Sequence, residues 1–201
     1  MHSCDPNKTA RRSLAADEEG AAVMEFGLVS VVFITLLLGM MDIGHMAYTQ
    51  SLLNGAAQAA AREVSLEGGD PDAADADLQA LIRRVAPGAV LTPNRVSYFD
   101  FDDVERAEQW NDENGDGVCN DDENFVDENE NGQWDEDIGV TGNGGASDVV
   151  VYTVNLEYKS LFPIPFYDSE GSTRNLSATF VKKNQPFLAQ NGYGSSAGVC
   201  S

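Results

Sequence analysis

The order of elements along the chain predicts an α+β fold, a long N-terminal helix packed on a small antiparallel sheet that carries an acidic insertion. Three observations lead there. An unbroken apolar block, residues 26–41, runs into an Ala-rich stretch whose single weak point for a helix is Gly55. The best period-two alternation comes much later, at 148–159, where Val149, Val151, Thr153, Asn155 and Glu157 alternate with Val150, Tyr152, Val154, Leu156 and Tyr158. Between these halves, residues 100–137 hold about half of the chain's 33 acidic residues and one base, Arg106.

Residues 1–20 read as a polar cytoplasmic leader and 21–66 as a transmembrane and spine helix. The apolar block contains only Ser30 and Thr35 as polar residues. Alone it falls short of the ~20 residues a spanning helix needs, and counting from Ala21 supplies them. Lys8, Arg11 and Arg12 precede it and no base follows until Arg62, which places the N-terminus in the cytoplasm and the remainder outside. A helix over 21–66 measures on the order of 70 Å at ~1.5 Å per residue. Gly55 costs it under ~1 kcal/mol, and the run Glu67, Gly68, Gly69, Asp70, Pro71 stops it.

Residues 67–101 are expected to give a short helix and the first strand of the globular part. The helix, at 72–86, is capped by Asp72 or Asp75 and carries the apolar stripe Ala76, Leu78, Leu81, Ile82 and Val85. Pro87 and Gly88 end it, and 96–101 is strand-like. The insertion occupies 102–147 and closes on Gly142, Asn143, Gly144 and Gly145. Residues 148–187 supply the C-terminal antiparallel strands, at 148–159 and 176–181, joined by an extended apolar connector at 162–166 and a turn at 168–172. The tail, 188–201, is Gly/Ser-rich and reads as flexible. Two isolated strands are marginal, so the sheet needs the long helix as its other layer.

The insertion contains a twelve-residue frame for a hard cation. Calcium takes six to eight oxygens, which such loops offer from positions 1, 3, 5, 7 (a backbone carbonyl), 9 and 12, with glycine at 6 for the sharp turn. Asp112, Asn114, Asp116, the Val118 carbonyl, Asn120 and Glu123 fill every position, and Gly117 is in place. A second frame begins at Asp127, with Asn129, Asn131, Gly132, the Gln133 carbonyl and Asp135. Its twelfth residue is Ile138, so either Asp137 substitutes or Glu123 is shared. Phe125 and Trp134 are the expected packing residues. The pair resembles the tandem Asp-x-Asn-x-Asn-Gly repeats of secreted bacterial proteins. One calcium site is expected and two are conceivable, with affinity of order 10⁻⁴–10⁻³ M as in extracellular modules. An acidic linker without structure is the competing account, disfavoured because unstructured loops this long are uncommon inside compact domains.

Glu25 is the one ionisable residue of the apolar half. A charge at a membrane edge costs on the order of 2–3 kcal/mol and marks a function and a partner. Cutting after Gly20 would free an α-amine on Ala21, four residues before Glu25 and on the same helix face. The carboxylate could then neutralise its own amine or a neighbour's. Gly20, Ala21, Glu25 and Phe26 resemble the prepilin-peptidase site of the TadE-like pseudopilins of the tight-adherence pilus family. The steps Gly39, Asp42 and Gly44, the small-residue run at 54–63 and the stretch at 175–186 resemble that family too. The resemblance covers about residues 11–66 and 148–187, not the middle.

It implies a structural minor pilin rather than an enzyme. A prepilin peptidase would process it, and other pilin-like subunits and the assembly machinery would be its partners. The precursor would be a single-pass inner-membrane protein with its C-terminal part outside the cytoplasm, or extracellular in a pilus. An ordinary uncleaved anchor, holding a calcium-binding envelope or adhesion domain, remains the alternative reading of the same residues.

Composition narrows the rest. A formal charge of −21 makes nucleic acid an unsuitable partner, since no basic patch offsets the repulsion from phosphate. No Ser-His-Asp, Cys-His or phosphate-loop pattern appears. Of the three cysteines, Cys4 lies in the leader. Cys119 and Cys200 would share an oxidising compartment, where they either form a disulfide that pins the tail to the insertion or stay as two separate thiols. His45 sits at the expected membrane exit, as an interfacial contact or as one half of a polar pair with Asp42.

Overall fold

The computed structural model describes residues 18–66, 68–120, 122–162, 172–186, 188–190 and 192–200. The leader up to residue 17, most of the connector expected at 162–166 and most of the turn expected at 168–172 lie outside them.

Helix α1 spans Glu18–Val64, 47 residues, and so begins before Ala21. Its first half is long and apolar enough to cross a membrane, and among the described residues nothing buries its most apolar 18-residue window. Its second half is the spine of the globular part. Leu53, Ala57, Ala60 and Ala61 recur at helical spacing, are buried together, and form one face of the main core. The small alanines let neighbouring elements approach the α1 backbone closely.

Helix α2, Pro71–Arg83, starts one residue earlier than expected and ends three residues sooner. Asp70 caps it, accepting from the N–H groups of Asp72 and Ala73 at 3.0 and 3.2 Å, and Pro71 fills the first turn, where no N–H is needed. The cap is therefore neither Asp72 nor Asp75. Of the expected stripe, Leu78 and Ile82 are buried with Ala74, while Leu81 stays exposed.

The main sheet is antiparallel with strand order β3-β1-β4-β5. Its strands are β1 (Val90–Tyr98), β3 (Val140–Thr141), β4 (Val149–Lys159) and β5 (Thr173–Lys183). β2 (Asn124–Asp127) and β6 (Ser196–Val199) make a separate two-stranded sheet. β4 is the central strand, and its residues Tyr152, Val154, Leu156 and Tyr158 face α1 and α2 in the main core. β1 begins six residues before the expected 96 and passes through Pro93. β3 pairs only with Val96 and Ser97, so the outer edge of β1 is open at Pro93, where a missing N–H is tolerated. β6 overturns the expectation of a loose tail.

One polar latch holds these layers. Arg95 forks onto Asp75 of α2 at 2.5 and 2.7 Å and stacks 4.2 Å above the Tyr152 ring, whose hydroxyl also donates to Asp75 at 2.6 Å. Burial, followed by the Asp75 carboxylate, pushes the Tyr152 pKa upward. A second, small core of Tyr98, Ile138 and Val149, with Val96, Val104 and Val151 around it, seats the insertion on the sheet.

Candidate functional site

The insertion folds as two loops that meet at an antiparallel bridge between Trp110 and Phe125. Around it, the Asn111 N–H donates to the Asn124 carbonyl at 2.8 Å and the Val126 N–H to the Gln109 carbonyl at 2.8 Å. Trp134 packs edge-on against Trp110, with ring centroids 5.1 Å apart, and donates from Nε1 to the Glu108 carbonyl at 3.1 Å.

In the first loop Asp112 accepts from the N–H groups of Gly115, Asp116 and Gly117 at 2.7, 3.2 and 3.0 Å. Gly117 has φ 77°, the left-handed region that favours glycine at the sixth position. The side chains of positions 3, 5 and 9 converge: Asn114 Nδ2 donates to Asp116 and to Asn120, and Asn120 Nδ2 donates to Asp116 at 2.9 Å. The Asn120 amide, then the Val118 N–H, hold the Asp116 carboxyl below its usual range. Glu123, 3% exposed, closes the loop. Its Oε1 accepts from Glu113 and Asn114 N–H at 2.8 and 3.3 Å, and its Oε2 from Asn120 N–H at 3.4 Å.

The second loop repeats this with Asp127, which accepts from the N–H groups of Asn131 and Gly132 at 3.0 and 2.7 Å. Asn129 and Asn131 both donate to Asp135, and the Gln133 N–H donates to Asn131 Oδ1 at 2.7 Å. Its closing residue is neither of the two the sequence suggested. Ile138 is in the small core. Asp137 accepts from the Tyr98 hydroxyl at 2.9 Å and from Gly139 N–H, away from the loop. Glu123 serves the first loop.

Glu108, 0% exposed, takes the closing position. Its Oε1 accepts from Glu128 and Asn129 N–H at 2.7 and 3.3 Å, and its Oε2 from Asp135 N–H at 3.2 Å. These are loop positions 2, 3 and 9, the same three that Glu123 engages in the first loop. The backbone matches as well, since Glu108 N–H bonds the Asp135 carbonyl as Glu123 N–H bonds that of Asn120. A signal for this is present in the chain. Glu108 precedes Asp112 by the interval at which Glu123 precedes Asp127, so each glutamate opens one repeat and closes the other's loop.

Among the described residues no three His, Cys, Asp or Glu side chains form a cluster able to hold a metal ion. The donors of each loop are carboxylates and carboxamides in alternation, bonded to one another and to backbone N–H groups. Carboxylate and carboxamide oxygens are the donor types that hard cations take.

Two tethers fix the insertion. Arg106, its one base, forks onto Glu128 at 2.9 and 2.6 Å and bonds Asp103 at 3.0 Å. The Glu128 carboxylate raises the Arg106 pKa further. A disulfide joins Cys119 to Cys200, with Cα atoms 5.4 Å apart.

Where α1 enters the globular part, Asp42 is 4% exposed and accepts from Arg174 Nη2 at 2.5 Å, from Arg174 Nε at 3.2 Å, and from the Ser160 hydroxyl. His45 has different partners: Nε2 meets the Val85 carbonyl at 3.1 Å, and its ring lies edge-on to Tyr158 and Phe162. Asp42 and His45 therefore each bind across to the head rather than to one another. Gly20, Ala21, Glu25 and Phe26 are all exposed on α1.

No curated protein and no solved structure matches the chain. Residues 20–62 match the model of a family described as TadE-like protein. The match starts at Gly20 and ends at Arg62, so it covers α1 and neither the sheet nor the insertion. Over that segment the chain is similar to the TadE-like proteins, a pilus-related family held at the membrane by an N-terminal apolar helix.

Proposed function

We propose that this protein is a structural minor pilin, or pseudopilin, of a tight-adherence type pilus. The observation that carries the reading is α1 itself. Its family-like segment presents a bare apolar half beginning at Gly20, and its other half is welded into a folded head. A prepilin peptidase cuts between Gly20 and Ala21, and the new amine and Glu25 balance each other within or between subunits. The apolar half then passes from the membrane to a bundle of like helices. Asp42, Arg174 and Ser160 set the angle between rod and head at the point where that bundle would end. N-terminal sequencing of the protein extracted from membranes tests this: Ala21 as first residue supports it, and an intact leader refutes it. The alternative, an uncleaved anchor with a calcium-binding envelope or adhesion domain, is favoured by one feature. α1 is helical across the Gly20–Ala21 bond, whereas a peptidase needs the chain extended there.

The insertion is, on the same reading, a distal knob that calcium stiffens outside the cell. Asp112, Asn114, Asp116, the Val118 carbonyl, Asn120 and Glu123 would hold one ion. Asp127, Asn129, Asn131, the Gln133 carbonyl, Asp135 and Glu108 would hold a second. Bound calcium would supply the positive charge that this acidic segment lacks. Calorimetric titration of the full chain should give heat with calcium and lose the first-loop component in Asp112→Ala; absence of heat in the unaltered chain refutes it.

A further inference from the structure

The disulfide lies inside the first loop. Cys119 falls between Val118 and Asn120, two residues assigned above to the cation. Cys200 follows β6, and its N–H donates to the Glu123 carbonyl at 2.8 Å. β6 pairs with β2 from Asn124↔Val199 to Asp127↔Ser196, so the strand that leaves Glu123 is braced along one edge by the tail. Phe125 lies so close over Gly198 that a Cβ there would come within 2.1 Å of the ring. A pair of four-residue strands is marginal by itself. The tail leading into it is rich in glycine and serine, whose backbone freedom opposes ordering. The covalent link ties the end of β6 to the first loop, beside the backbone bond from Cys200 to Glu123 at the loop's mouth.

We infer that oxidation of Cys119 and Cys200 gates cation binding at the first loop; this rests on the calcium reading given above. The two thiols pass two protons and two electrons to the disulfide of a thiol–disulfide oxidoreductase. A mixed disulfide forms first, then the Cys119–Cys200 bond closes and the oxidoreductase leaves as its dithiol. In a reducing compartment the pair stays open and the loop is unbraced. In an oxidising one the pair closes and the loop is preorganised for the ion.

The test is calcium titration of the full chain in detergent, in an Asn131→Ala background that silences the second loop. Oxidised protein is compared with phosphine-reduced protein and with Cys200→Ser. The expected result is calcium affinity weaker by about tenfold or more in both open forms, as loss of preorganisation predicts. A second readout needs no calcium: in chelator, a protease should cleave within residues 112–123 faster in the open forms. Equal calcium affinity in oxidised and reduced protein overturns the gating and leaves the calcium reading standing. Absence of calcium binding in every form overturns the calcium reading and the gating with it. Unchanged cleavage rates overturn the bracing role whatever the titration shows.

Discussion

Glu108→Gln isolates the second loop from the first. Glu108 is completely buried, and its two oxygens satisfy three backbone N–H groups, those of Glu128, Asn129 and Asp135. Glutamine keeps one oxygen for Glu128 and Asn129 but turns an amide N–H₂ towards the Asp135 N–H. One buried donor then loses its acceptor, at a cost of about 1–3 kcal/mol. Glu108→Ala strips all three, on the order of 3–6 kcal/mol, enough to melt the insertion locally. The glutamine variant also removes the charge and the two-oxygen grip that a closing glutamate gives calcium. On the calcium reading proposed above, titration calorimetry should show one calcium fewer in Glu108→Gln than in the unaltered protein. Thermal unfolding in calcium should fall to the midpoint found in chelator for that loop. Asp137→Asn, at one of the two residues the sequence offered in place of Ile138, should leave the stoichiometry unchanged. Full stoichiometry in Glu108→Gln, or a site lost in Asp137→Asn, would refute the reciprocal closure.

Four further outcomes follow from the same geometry. Arg174→Ala leaves the buried Asp42 carboxylate without its cation and should destabilise the head by about 3–5 kcal/mol, read by thermal denaturation; a change within experimental error would show that this pair does not fix rod to head. Leu53→Ala opens a cavity in the main core and should cost about 2–5 kcal/mol in the same assay. Burial, then the Asp137 carboxylate, pushes the Tyr98 pKa up to about 12, above its ordinary 10.0, so its contribution is complete below pH 10 and is lost as pH rises through 12. Alkaline unfolding should accordingly be shallower between those values in Tyr98→Phe. Gly198→Ala forces the Phe125 ring aside and should lower the stability of the β2–β6 pair by about 1–3 kcal/mol, seen as faster reduction of the disulfide at fixed reductant.

The parts of this fold that local pattern determines were legible in the chain, and the parts that distant contacts determine were not. α1 could be read because apolar length and alanine content act residue by residue. β4 could be read because it lies at the sheet centre, covered by α1 and α2 on one face, which imposes strict alternation. β1 starts earlier than its alternation alone predicts, since Pro93 argues against a strand unless the open edge beside it is known. The Ser, Ala, Gly and Val of β6 carry no strand signal of their own; Phe125 and Cys119, far away in sequence, give them one. The insertion shows the same division within one site. Asp112, Asn114, Asp116 and Asn120 belong to a local frame, and the structure brings them together. The closing acid of the second loop could not come from that frame, because Ile138 is drawn into the core with Tyr98 and Val149. Once that position is taken by packing, the N–H groups of Glu128, Asn129 and Asp135 need an acceptor from elsewhere, and Glu108, two residues before the Trp110–Phe125 bridge, supplies it. The second loop is therefore closed by a residue from outside its own frame, whereas Glu123 closes the first from within its own twelve residues.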